Sequence, residues 1–144
     1  DLAEEVRELE QTKYDFEPYI EGVSLFKHEG RYHLVQAIWS HRLPDGTETY
    51  ATTNDTETCF SYDCVIAVSD RVYGPYQERY TAITGGGHTC FFRTENGRWW
   101  ATLFYNPRGK QATEFRQTCR PALIPMKDEN SRFRPEPERT ESLH

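Results

Sequence analysis

One carboxylate, one imidazole, three indoles and one guanidinium carry the chemistry this sequence could perform. The carboxylate is Glu21, which opens the phrase EGVSLFKHEGRYHL (residues 21–34). The imidazole is His88, directly after Gly85, Gly86 and Gly87, where missing side chains let backbone crowd close to a neighbour. Trp39, Trp99 and Trp100 are candidate sugar platforms, because an indole face stacks well on the C–H surface of a pyranose. Alternation along a strand sends Trp99 and Trp100 to opposite faces, so whichever points between sheets serves packing. Arg120, just before PALIP, is a candidate clamp for a hydroxyl or carboxylate, and Asp63 is an acid at a strand start facing a possible cavity. On residue type alone the plain roles compete: an acid before a strand is ordinarily solvated, and a histidine is ordinarily satisfied in a core or turn.

The elements that must position these groups read as β. SLFKHEGRYHLVQAIWS reads as strand, turn and strand, with the turn at His28-Glu29-Gly30. TCFFRTENGRWWATLFY (89–105) is a second hairpin, turned at Glu95-Asn96-Gly97. Between them, residues 42–58 read as a long polar surface loop. YDCVIAVS (62–69) is a continuous apolar run, expected to be covered on both faces and closed by a Gly-Pro turn. RPALIPM (120–126) reads as a last short strand. The two hairpins align, with Gly30 and Gly97 at matching positions 67 residues apart (97 − 30). Self-similarity at such a period suits radial repeats, such as the four-stranded blades of a β-propeller.

These readings divide the chain into a helical linker over 1–13, with Leu2, Val6 and Leu9 on one stripe, blades over 14–126, and a charged, loose tail over 127–144. The length of 144 residues allows one domain with a real core. A 14 % aromatic share argues for a folded β protein despite a low mean hydropathy of −0.84. A net charge of −6 without a Lys/Arg block excludes a nucleic-acid footprint, and the apolar runs are far too short for a membrane-spanning helix. Four cysteines, at 59, 64, 90 and 119, form no Cys-x-x-Cys pair, and the histidines are not spaced in sequence to complete a zinc site, so structural zinc is not expected. Cys64 and Cys90 lie in strand-like runs and are expected to be buried free thiols.

In order along the chain, EGVSLFKHEGRYHL, YDCVIAVSDRVYGPY, GGGHTCFFRTENGRWWATLFY and RPALIPM resemble the later blades of family 43 glycoside hydrolases and related five-bladed propeller glycosidases. The resemblance runs from about Tyr19 to Met126. It implies an all-β, partial β-propeller of antiparallel four-stranded blades, from an enzyme class that is usually inverting and acts on arabinose-, xylose- or galactose-containing glycans. It also implies that Glu21, in the family's Glu-Gly-Pro phrase, is the general acid, although Val23 stands where the phrase has proline. A donor of that kind needs its pKa raised by burial or by neighbouring carboxylates. His88 is implied to lie near the propeller axis, where it would meet a central metal ion, commonly calcium, or an ordered water. The general base and the tuning aspartate would belong to blades outside these residues, so the chain by itself is expected to be inactive. The partners implied are a carbohydrate and the remaining blades, or a second copy of the chain; the alternative reading is a non-catalytic carbohydrate-binding or scaffold module that keeps the blades without the base.

Overall fold

The computed structural model describes residues 20–42, 45, 47–50, 61–77, 79–104 and 121–136. The expected helical linker, Cys59, Cys119 and Arg120 lie outside these residues. All regular structure among the described residues is strand, in two antiparallel sheets.

In the first sheet, β1 (Ile20–His28) and β2 (Arg31–Arg42) form the first hairpin. Its two turn residues, Glu29 and Gly30, have φ of 48° and 82°, the conformation whose twist matches the strands it joins. A short β3 (Glu48–Tyr50) pairs with the end of β2, and β4 (Ser61–Ser69) with β2's other edge, followed by β5 (Tyr80–Ile83). The strand order is β1-β2-β4-β5, with β3 off that path. At Ser40 the two flanks of β2 are taken by Tyr50 and Ser61, so β3 lies along the edge that β1 uses further on. Residues 42–58 are therefore not wholly loop, because β3 forms within them. The expected double-sided strand is β4, buried at all nine positions.

The second sheet is β6 (Cys90–Arg93), β7 (Trp99–Phe104), β8 (Pro121–Glu129) and β9 (Arg132–Pro135), paired in that order. Its first hairpin turns at Gly97, φ 84°, as the sequence implies. Over 127–136 the expected loose tail is corrected: β8 runs on to Glu129, a tight turn at Asn130 and Ser131 reverses the chain, and β9 follows, while residues 137–144 of that tail lie outside the described residues. The reason is Phe133, fully buried between exposed Arg132 and Arg134. One apolar face of β9 suffices to hold the strand to its sheet.

The sheets stack face to face. Val35, Ile66, Val68 and Ile83 of the first meet Phe91, Leu103, Met126 and Phe133 of the second. Phe26 bridges them, stacked on His33 (4.8 Å between ring centres) and Phe91 (5.2 Å), with Phe133 edge-on at 5.3 Å. The Phe133 N–H donates to the Tyr80 hydroxyl at 2.9 Å, joining β9 to β5, and burial pushes the Tyr80 phenol up to about 12. Cys64 is buried as expected, its thiol pushed up to about 12 by desolvation and so kept protonated. Cys90, expected to be buried, is exposed, because its side chain alternates away from the buried Phe91.

Candidate functional site

The head of β1 is built irregularly. The β1–β2 register shifts between Glu21 and Ser24, and Gly22 sits in the left-handed region at φ 61°. A side chain at Gly22 would be strained, and its Cβ would lie 2.9 Å from His88 Nδ1, so the imidazole rests directly on the backbone there. Glu21, just before this irregularity, is left with its side chain 42 % exposed.

Two neighbours engage that carboxylate. The Tyr62 hydroxyl donates to Glu21 Oε1, and His88 Nε2 lies 3.5 Å from the same oxygen. Tyr62 comes from β4 and pairs in register with Trp39 of β2, the two rings 4.6 Å apart. The His88 ring lies 5.8 Å from Tyr62's. Carboxylate, phenol, imidazole and indole thus form one polar and aromatic cluster at the strand ends.

The triple glycine makes the cluster possible. Gly87 runs over the Tyr62 ring so closely that a Cβ would lie 2.1 Å from Tyr62 Cδ1. The loop is pinned by the Gly87 N–H to the Tyr62 carbonyl (3.1 Å) and by the Gly85 N–H to Asp63 Oδ1 (2.7 Å). Asp63 is fully buried and also accepts from the hydroxyls of Ser40 and Ser61, both at 2.7 Å. A buried carboxylate with three donors is satisfied. Asp63 does not enter a cavity; it anchors the loop that presents His88. The Ser24 hydroxyl, donating to the Thr89 carbonyl at 3.1 Å, fastens the loop's far side to β1.

The sequence-derived candidates thus separate. Glu21, His88 and Trp39 come together. Trp99 does not join them: it packs 5.0 Å from Phe26 and 5.2 Å from His28, at the other end of β1. Tyr62 is the group that residue-by-residue reading missed. Its signal is joint: an aromatic opposite a tryptophan in the ladder, with a glycine run to let backbone lie across it.

The electrostatics of Glu21 run opposite to those of a poised proton donor. The Tyr62 hydrogen bond holds the carboxyl below its usual range, outweighing desolvation, and the bond and charge of His88 push the same way. The neighbours brought to it are a phenol and an imidazole, where the resemblance implies further carboxylates. Calcium takes six to eight oxygen ligands; at His88, which offers nitrogen, the described residues bring the Glu21 carboxylate, itself engaged by Tyr62.

Two stacked antiparallel sheets, one of four strands and one with a four-strand path β1-β2-β4-β5 plus the short β3, and a polar cluster at the head of the first hairpin, make the architecture of adjoining propeller blades. The chain has the fold of part of a GH43-like propeller. Among solved structures it is similar to a bifunctional GH43-CE protein of Bacteroides eggerthii, with a TM-score of 0.54 and 23 % identity over 81 % of this chain and 12 % of that one. It is similar also to a variant of a GH43 protein of Bacillus licheniformis, with a TM-score of 0.55 and 22 % identity over 88 % of this chain and 24 % of that one. An endo-1,4-beta-xylanase of Bacteroides thetaiotaomicron matches with a TM-score of 0.52 and 18 % identity, over 81 % and 37 % respectively. The chain therefore spans well under half the length of each of these three. No family model matches the sequence, and no curated protein does.

Proposed function

We propose that the chain is the C-terminal part of a propeller glycoside hydrolase in which Glu21 is the proton donor to the leaving oxygen. The observation that carries this reading is the placement of Glu21 at the head of the first hairpin, gathered with Tyr62, His88 and Trp39 on a GH43-like fold. Trp39 is the indole positioned to offer a sugar a flat face, and His88 orients the carboxylate.

The lowered pKa of Glu21 belongs to this arrangement as it stands, half-open to solvent. Further blades would bury the carboxylate and bring it an opposing base, and both changes raise its pKa. Val23 and Leu25, 60 % and 46 % exposed on β1, fit a face that another blade covers. Inversion needs the base across the sugar, roughly 6.5–9.5 Å from the acid. The ring is completed by further blades, in a longer polypeptide or a second chain, and its substrates are arabinose-, xylose- or galactose-containing glycans.

The test is turnover of aryl arabinofuranosides and xylopyranosides by the complete ring and by the chain alone. In the ring, Glu21→Gln slows substrates with poor leaving groups by roughly 10²–10⁴-fold and barely slows highly activated ones, which need no protonation. The chain alone binds sugar at most. Equal slowing for both leaving-group classes removes the donor role, and turnover by the chain alone removes the need for a base from elsewhere.

A further inference from the structure

We propose that His28, Glu29 and Asp128 form a zinc site that staples the first sheet to the second, at the end of β1 remote from Glu21. His28 closes β1, Glu29 is the first residue of the following turn, and Asp128 lies on β8 of the other sheet. The His28 ring nitrogen and one oxygen from each acid lie within 4.8 Å of one another. His28 Nε2 is 3.0 Å from Asp128 Oδ2 and 4.0 Å from Glu29 Oε1. Zinc bound at about 2.0–2.1 Å holds tetrahedral donors roughly 3.3 Å apart. The His–Asp spacing therefore already suits the ion, and Glu29 needs only a small inward rotation. Its side chain, 70 % exposed on a tight turn, has room to make it.

Unused bonding capacity beside His28 points the same way. Asp128 Oδ1 is buried with no hydrogen-bond partner, and so is Nδ1 of His33, whose ring centre is 6.0 Å from His28's and whose side chain is 2 % exposed. The His28 N–H satisfies a single oxygen of Asp128. Two carboxylates then face one imidazole, and one buried oxygen of Asp128 is left without a partner. A divalent cation in place of that proton neutralises both acids, with the imidazole taking the tautomer protonated on Nδ1. One nitrogen and two carboxylate oxygens, with water as a fourth ligand, is a zinc donor set; calcium would want more oxygens and no imidazole. The cluster shares no residue with the Glu21 site, so the proposal stands whether or not the chain belongs to a hydrolase.

The experiment is titration of the 144-residue chain with Zn²⁺, Ca²⁺ or Mg²⁺, following metal stoichiometry and melting temperature, together with the absorption spectrum of the Co²⁺-loaded chain. One zinc binds per chain and raises the melting temperature by roughly 5 °C or more at saturation, with no comparable rise from calcium or magnesium. The cobalt spectrum shows weak visible bands of nitrogen and oxygen ligands, without the intense near-ultraviolet bands of a thiolate site. Asp128→Asn and Glu29→Gln each weaken zinc about tenfold or more, while Glu21→Gln leaves binding unchanged. If Asp128→Asn unfolds the chain, Glu29→Gln, on an exposed turn, carries the test alone. Zinc that leaves melting unaltered, affinity indifferent to both variants, or a thiolate spectrum overturns the site.

Discussion

The two ends of β1 are made of similar side chains and do opposite things. At its head, Glu21, Tyr62, His88 and Trp39 meet around an open carboxylate, held by an irregular register and glycines with no room for a side chain. At its foot, His28, His33, Phe26, Trp99 and Phe133 meet in a stack of rings between sheets, reached through regular pairing and a tight turn. Both ends hold histidine, tryptophan and acid, so residue type does not separate the open Glu21 cluster from the packed rings. Backbone regularity and burial do: the irregular end keeps polar groups solvated, and the regular end packs its rings away.

The comparison breaks most severely at Phe133. Phe133→Ala removes the ring that touches Phe26, His28, His33, Phe91 and Trp99, and it should cost about 3–5 kcal/mol in chemical denaturation. The Glu21 cluster lies roughly 20 Å away along the strand, so its tyrosine and histidine NMR signals in the surviving folded fraction should not move. If they do, the two ends are one cooperative unit.

His33 sharpens the contrast through pH. Burial holds its imidazole down at about 4, the charges of His28 and Arg31 add to this, and Asp128 and a backbone hydrogen bond oppose it. A depressed histidine favours the folded state fully above its unfolded pKa of about 6.5 and loses that contribution as pH falls towards 4. The loss is at most about 3 kcal/mol. His33→Phe, which keeps a ring against Phe26, should flatten the stability profile across that window. An unchanged acid limb would mean that His33 already ionises where it sits.

At the head of the strand, Gly87→Ala drives a Cβ into the buried Tyr62 ring and should cost about 2 kcal/mol. Its distinguishing sign is local: the Tyr62 and His88 resonances shift, while those of Phe26 and Phe133 stay.

How much of this was legible in the sequence follows the same division. Both repeated hairpins were readable because Gly30 and Gly97 mark their turns locally, and β4 because its apolar run is unbroken. The strand β9 was hidden, since a single buried phenylalanine among arginines gives period-two alternation almost no apolar signal. The strand β3 was hidden because its pairing with β2 is set by the chain's return, not by its own three residues. Tyr62 was passed over because its role depends on cross-strand register with Trp39 and on the path of Gly87. The resemblance reached Glu21, yet its electrostatics depend on neighbours that only the folded arrangement supplies.

Tyr62→Phe gives the smallest effect and tests the head of β1 most directly. The phenol supplies the largest influence holding the Glu21 carboxyl below its usual range. Removing one hydroxyl leaves the ring packed on Trp39 and under Gly87, so the cost in stability should be about 1 kcal/mol. The carboxyl pKa, followed by carbon NMR on labelled glutamate, should rise, because desolvation persists and its chief opponent is gone. The accompanying stability change has a definite sign. A carboxyl depressed in the folded state stabilises it above the unfolded pKa and loses that contribution as pH falls, so Tyr62→Phe should lose less than the parent on acidification. A carboxyl that does not move would leave His88 as the residue holding Glu21 ionised, and the double change with His88→Gln would then release it.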